Sequence, residues 1–546
     1  MSRTRVLGAL GAILVVGLGL RLWGIGTGLP AVYNLDEYAH FVPGAARMTG
    51  VSLNPHYFQN PPAFTYVLRV VFLIVFALPG VTHESVKATL AGDPTTLFLI
   101  GRVVSAALGV AAVGVLFAAA KRLYGDAVAL VAALLLTVTF LPVFYGHLAL
   151  NDVPTLLPLA LGLVGVAGIS TRGDRVDYVV AGLGLGMATA TKYTAAALVV
   201  AIALAAALRV RAERDTWRVQ LRHLVMAGAV ALVAFVVLNP FSVLDPRSFW
   251  HGVSRQQKQS ADIAKLGTDN TTGWQYYLWT LTWGFGVVPC VLAAVGAAMA
   301  LRRRWERTVP WIGFAVAVWL FMGSQQRFYA RWFMPVYPVL AVFAALAIVE
   351  LASLAPRSRG VVGIALGVVA LAQPLVTVVH SDVILNRPDT RDAAKAWLLS
   401  HVGRGSRVVS ELIAAPAYFN EGNRRDGAPL FDLYPQPRGA DIERYATTLS
   451  PSTIDAYAAG RYCYVVTGSI IRDRALKGKD APPAAVAYYR ALSTRATRIA
   501  TFSPVRRGAS LPRFNFDISY NWYPLRYTRP GPRVDVYRLN DPGCVT

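Results

Sequence analysis

The sequence predicts a polytopic α-helical membrane protein of about eleven spans, followed by a C-terminal α/β domain outside the membrane. Three observations predict it. Of the 546 residues, 55% are hydrophobic and only 15% charged, and the mean hydropathy is +0.45; a soluble globular chain carries roughly a quarter charged residues. Eleven apolar stretches approach or reach the ~20 residues needed to cross a hydrocarbon core. After residue 385 the apolar runs stop, and Pro, Gly and polar residues rise.

The formal net charge of +23 would suit nucleic acid. Its arginines, however, sit in short loops between apolar runs, the mark of cytoplasmic loops. Nucleic acid is therefore excluded as the expected partner.

The stretches lie at 6–29, 97–119, 127–147, 153–170, 177–191, 193–209, 222–243, 274–300, 309–324, 332–353 and 360–380. The first follows Arg3 and Arg5 and runs on to Trp23 without a small-residue cleavage site, so a retained helix is expected instead of a cleaved signal peptide. A further apolar run, 62–79, contains Arg69. If it does not cross and the N-terminus is cytoplasmic, every strongly basic loop falls inside: Lys121-Arg122, Arg172 with Arg175, 209–223, Arg302-Arg303-Arg304, and Arg357 with Arg359. The run is therefore expected to be an interfacial or re-entrant helix on the outer face. The same topology places 30–96, the Asp152 loop, the loop 245–273 and the Gln325 to Arg331 turn outside, with Lys192 at the outer junction of two short spans.

Two domains follow, 1–384 in the membrane and 385–546 outside it. In the second, 389–402 reads as an amphipathic helix capped by Asp389 or Thr390. Strands are expected at 407–412, 462–467 and 534–539, and a helix at 482–495. Of three cysteines, Cys290 lies in an apolar span; Cys463 and Cys544 are free to pair if their domain is extracytoplasmic. None has metal-ligand spacing.

The chemistry-bearing residues stand at the ends of apolar runs, where a carboxylate is costly without a partner or a task. Asp36-Glu37 follows the first span. A carboxylate there can take a proton from an attacking hydroxyl; the plainer reading is an acid pair on the dipole of the next helix. Asp152, before Val153-Pro154, is a second candidate, or simply a helix cap. Lys192 interrupts an apolar stretch and suits a phosphate, or merely snorkels to the interface. Arg327 and Arg331 share a face if their turn is helical, and paired guanidiniums suit phosphate oxygens; otherwise they anchor an aromatic belt with Phe328, Tyr329 and Trp332. Arg255, Lys258 and Lys265 read as a solvated amphipathic segment, and His40, His56 and His147 as structural.

Taken in order, Leu35-Asp36-Glu37, Asn60-Pro61-Pro62, Gly101 to Ser105, Arg122 to Gly125, Asp152-Val153-Pro154, Ala190 to Tyr193, Asn239-Pro240 with Leu244-Asp245, and Arg327 to Pro335 resemble the GT-C membrane glycosyltransferases. The likeness is to the protein O-mannosyltransferase and aminoarabinose transferase group and covers about residues 1–380. It implies an inverting glycosyltransferase that moves a sugar from a polyprenyl-phosphate donor to an acceptor hydroxyl at the outer face of the plasma membrane, the acceptor being protein, glycolipid or glycan. It implies Asp36 as catalytic base, with Glu37 orienting it or binding acceptor, and Asp152 as a second active-site carboxylate. In that group a lysine often precedes the Pro-Pro pair and reaches the donor phosphate. Here Asn60 holds that position, which shifts weight onto Lys192, Arg327 and Arg331. The group varies in metal dependence, and no dedicated metal or cofactor site is visible; a divalent cation is compatible but not indicated. The rivals are a lipid or sugar transporter and a non-catalytic lipid-binding homologue. A transporter would want mid-membrane polar residues and repeated halves, and neither is seen.

Overall fold

A computed structural model describes residues 2–48, 52–78, 85–262, 272–436, 445–477, 481–517 and 522–544. Lys265 lies outside the described residues. The chain is a multi-pass membrane protein: seven of the described helices are long and apolar enough to cross a bilayer, or eight if a pair bent by 59° at Asp126–Thr137 and Phe140–His147 counts as one span. Each of the eleven predicted stretches falls on helix. The count differs because helices Leu156–Thr171 and Arg175–Thr191 are 16 and 17 residues long, and because 274–300 and 309–324 form one run, Gly273–Gly323, interrupted by non-helical backbone at Arg304.

The apolar run 62–79 folds as Ala63–Phe76. Fourteen residues rise about 21 Å, short of the ~30 Å hydrocarbon layer. That length agrees with an interfacial or re-entrant helix. Helix Pro246–Asp262 carries Arg255 and Lys258 on exposed positions and packs Gly252 and Phe249 against Phe58.

Small residues set the closest helix contacts. A Cβ on Gly165 would lie 2.3 Å from the Ala181 nitrogen, and one on Gly184 would lie 2.2 Å from the Gly162 nitrogen. Helices Leu156–Thr171 and Arg175–Thr191 thus touch backbone to backbone, the usual benefit of small residues between membrane helices. The second helix ends at Thr191, where the backbone turns extended at Lys192.

Beyond Leu385 the chain builds a five-stranded sheet of order β2-β1-β3-β5-β4. Its strands are β1 (Arg407–Ser410), β2 (Asp432–Leu433), β3 (Tyr464–Gly468), β4 (Ala496–Phe502) and β5 (Val534–Leu539). β1 is parallel to β2 and β3, whereas β5 is antiparallel to β3 and β4. The three expected strands are present. β4 was not predicted because it follows helix Pro483–Arg495 with no turn residue between them. Helix Thr390–His401 is capped by Asp389 in a reciprocal box with Asp392. Cys463 and Cys544 form a disulfide.

The two regions interpenetrate. Ala31 belongs to the apolar cluster of the C-terminal sheet, while Phe514 and Phe516 belong to that of the helical bundle. The Tyr33 hydroxyl donates to Asp392, and the Arg391 guanidinium lies 3.5 Å from the Tyr33 ring centre. Arg425 covers the Tyr38 ring at 4.5 Å and donates to its carbonyl.

Glu411 follows β1 and is buried, accepting from the Gly468 N–H at 2.8 Å and the Tyr489 hydroxyl at 2.5 Å. Burial raises its carboxyl from 4.5 to about 7. A raised folded-state value favours the protonated form, so its stabilising effect is complete below about pH 4.5 and is lost as pH rises through about 7. Thermal unfolding midpoints should fall between pH 5 and 8 for the wild type. In Glu411→Gln that fall should shrink by the equivalent of about 3 kcal/mol. Parallel pH curves for the two proteins would remove Glu411 as the cause.

Candidate functional site

Asp36 lies in the short helix Leu35–Ala39, entered through Asn34, whose side chain accepts from the Glu37 N–H. The two adjacent acids therefore point to different places. The Asp36 side chain stays 45% exposed and receives Arg331 Nη2 at 2.5 Å. Glu37 turns inward and is fully buried. It takes Nε and Nη2 of Arg102 at 2.8 Å each, and the Ala149 N–H at 2.8 Å. Arg102 spends its remaining nitrogen on the carbonyls of Ile25 and Thr27. The acceptor capacity of Glu37 is thus directed to structure, away from the cavity where it was expected to act.

Asp152 is not a helix cap. The helix after it begins at Leu156, and the Asp152 carboxylate instead receives Lys192 Nζ, with Arg331 Nε at 3.8 Å. Next to it, the Asn151 amide donates to the Thr191 carbonyl at 2.7 Å, which ties the Asp152 turn to the helix end that carries Lys192. Lys192 and Asp152 are both buried, so their pairing is charge-assisted in a low-dielectric setting. Arg331 joins the halves by bridging Asp36 and Asp152.

Arg327 and Arg331 do not share a helical face. Tyr329 between them is extended, and the 3₁₀ helix Ala330–Val336 starts only after it. They meet instead on one ring: the guanidinium of Arg327 lies 5.9 Å, and that of Arg331 4.7 Å, from the centre of Tyr329. Tyr145 supports Arg331 from another side at 5.6 Å. Asn60 does not line the cavity. Its amide donates to the Tyr57 hydroxyl at 2.8 Å, and Tyr57 stacks on His40 at 4.4 Å, so Asn60 reaches the site only through two other side chains. Burial pushes the His40 imidazole below its ordinary value, which favours the neutral ring beside Arg331.

Asp36, Arg327, Tyr329 and Arg331 line a cavity of about 560 Å³ between the helical bundle and the C-terminal region. Its opposite wall comes from residues that were not expected at the site, among them Asp389, read only as a helix cap, and Arg391, Ile413, Arg474 and Asp517. Arg102 was detectable as a charge inside an apolar span that requires a partner. Asp517 carried no such signal, because acids are ordinary in a polar region. Asp152 and Lys192 do not line the cavity but lie buried behind Arg331. Asp36 and Asp152 set against Lys192, Arg327 and Arg331 leave one excess positive charge, and the fork of Arg331 offers two donor directions. Such a set can hold a phosphate beside a carboxylate that accepts a proton. Among the described residues no group of three or more His, Cys, Asp or Glu is arranged to hold a metal ion.

Comparison with known proteins gives a consistent picture. The family model of dolichyl-phosphate-mannose-protein mannosyltransferase matches residues 89–238. No curated protein sequence matches the chain. Among solved structures, ArnT from Cupriavidus metallidurans bound to undecaprenyl phosphate is similar over 99% of both chains, with 16% identity and TM-score 0.52. The oligosaccharyltransferase of Archaeoglobus fulgidus in its apo form is similar over 89% of this chain and 72% of its own, with 13% identity and TM-score 0.53. The oligosaccharyltransferase AglB from Archaeoglobus fulgidus, in complex with an inhibitory peptide and a dolichol-phosphate, gives 12% identity, 88% and 72% coverage, and TM-score 0.52. The matched family and these structural relatives are glycosyltransferases, and the fold of this chain is the GT-C fold on which they are built.

Proposed function

We propose that the protein is an inverting membrane glycosyltransferase that moves a sugar from a polyprenyl-phosphate donor to an acceptor hydroxyl at the outer membrane face. The observation that carries this reading is the Arg331 guanidinium bridging Asp36 and Asp152, with Lys192 on the second acid. The positive-inside distribution of the loops and the Cys463–Cys544 disulfide support an extracytoplasmic site, with the N-terminus cytoplasmic.

The donor phosphate enters beside Arg327 and Arg331, with Lys192 behind them on Asp152, and competes with the carboxylates for Arg331. That competition loosens Arg331 from Asp36 and frees the acid to act as a base. The acceptor hydroxyl gives its proton to Asp36, and its oxygen attacks the anomeric carbon from the face opposite the phosphate. The bond from that carbon to the phosphate oxygen breaks, its electron pair stays on the phosphate, and the cations stabilise the growing charge. Asp152 holds Lys192 in place and faces sugar or acceptor. The C-terminal region forms the far wall, where the acceptor is held.

The test is a reconstituted full-length protein given polyprenyl-phosphate hexose and pentose donors, with extracts of protein, glycolipid and glycan as acceptors. The expected result is release of free polyprenyl phosphate and a product of inverted anomeric configuration. A product of retained configuration would overturn the mechanism. Mass spectrometry of lipid-linked sugars after deletion of the gene should reveal the accumulated donor. An unchanged lipid and glycan profile would count against the function.

A further inference from the structure

The side chain of Arg331 is held by groups of the helical bundle, but the backbone turn that carries it is bonded from the C-terminal region. The segment Phe514 to Asp517 leaves the neighbourhood of the sheet and enters the helical bundle. Phe516 packs at 5.2 Å from Tyr276 and 5.5 Å from Phe328, and Tyr276 and Phe328 are 4.6 Å apart. On the sheet side the segment is tied by Lys477 Nζ, which donates to the Phe514 carbonyl at 2.6 Å, and by Arg474 over the Phe514 ring at 5.6 Å. At its tip the Asp517 carboxylate, 1% exposed, accepts from the Ala330 N–H and from the Tyr276 hydroxyl, each at 2.6 Å. Ala330 is the residue before Arg331.

From this geometry we infer that Asp517 is a positioning residue for Arg331, so that the C-terminal region sets the cation at the donor phosphate and does more than cover the cavity. The backbone on the other side of Ala330 is extended at Tyr329, and no regular helix precedes it to fix the direction of Arg331. The Ala330 N–H is a buried donor, which is costly to leave unpaired. One carboxylate oxygen takes it and the Tyr276 hydroxyl together, tying the Arg331 turn to helix Gly273–Leu281. An amide in place of the carboxylate keeps one oxygen able to accept both donors, but it loses the charge that strengthens both bonds and puts an NH₂ group where the second carboxylate oxygen stood. The guanidinium then loses its preset direction, although the region still packs.

The inference rests on the proposed donor site, and the experiment separates the two. The full-length protein is placed in nanodiscs, and binding of undecaprenyl phosphate is titrated for the wild type and for Arg331→Gln, Asp517→Asn and Tyr276→Phe, with the unfolding midpoint of each. Asp517→Asn should weaken binding about tenfold, and Tyr276→Phe about threefold, while the midpoints move by only a few degrees. A purely structural role would lower the midpoint and leave the affinity of the folded protein unchanged. If Arg331→Gln weakens binding and folded Asp517→Asn does not, the positioning role is wrong and the donor site stands. If Arg331→Gln has no effect, the donor site is wrong. Should Asp517→Asn not fold, Tyr276→Phe decides, because it removes one of the two bonds and leaves Ala330 paired: unchanged affinity there overturns the role.

Discussion

Asp36→Asn should lower turnover by about three orders of magnitude while donor affinity changes little. The amide keeps the size of the side chain and can still receive Arg331, so the short helix Leu35–Ala39 has no steric reason to move. What is lost is the capacity to accept a proton as the acceptor oxygen attacks, a contribution that typically amounts to 10²–10⁴ in rate. The charge balance of the cluster also becomes more positive, which favours binding of the phosphate. A fall in kcat with an equal or lower donor KM is therefore expected, read from initial rates of polyprenyl-phosphate release. Wild-type turnover in Asp36→Asn would remove Asp36 as the base and leave the reaction without its proposed proton acceptor.

The second large effect concerns stability. Glu37→Ala would leave the Arg102 charge buried, with only the Ile25 and Thr27 carbonyls for company. Breaking a buried ion pair from one side costs about 3–5 kcal/mol. The affected backbone includes the loop into Asp36 and the Ala149 N–H before Asp152, so the loss should reach the site as well. Replacing both partners, as in Glu37→Met with Arg102→Met, should cost much less than the single change, because no unpaired charge remains. Unfolding of the four proteins of this double-mutant cycle in one detergent provides the measurement. Additive losses would mean that the pair is not coupled as its geometry requires.

The legibility of this site in the sequence followed the cost of charge. Asp36, Asp152, Lys192 and Arg331 stood out because each ends or interrupts an apolar run, and the structure brings these four together. Glu37 was grouped with Asp36 because adjacency is visible in a sequence, while its partner Arg102, 65 residues away, is not. Asn60 entered through the position it occupies in a resemblance, and its side chain serves Tyr57. Arg327 was expected to share a helical face with Arg331, whereas a shared ring, Tyr329, joins the two. The C-terminal contribution could not be read at all. In a polar region an acid such as Asp517 costs nothing, so periodicity and hydropathy gave no cue that its loop returns to the bundle. The boundary at 384–385 marks where long apolar helices end in the chain, yet Ala31 and Phe516 each lie in the other region's core.

The glycine contacts between helices Leu156–Thr171 and Arg175–Thr191 have a further consequence. Since main chain already rests on main chain there, no smaller residue exists that would draw the two helices nearer, and any larger one would prise them apart. The distance between the Asp152 turn and Lys192 is thus pinned at a mechanical stop. Descendants of this protein whose cavity came to hold a different ligand would have to do so by redrawing the loops of the opposite wall, leaving the cation nearest the bundle where it is.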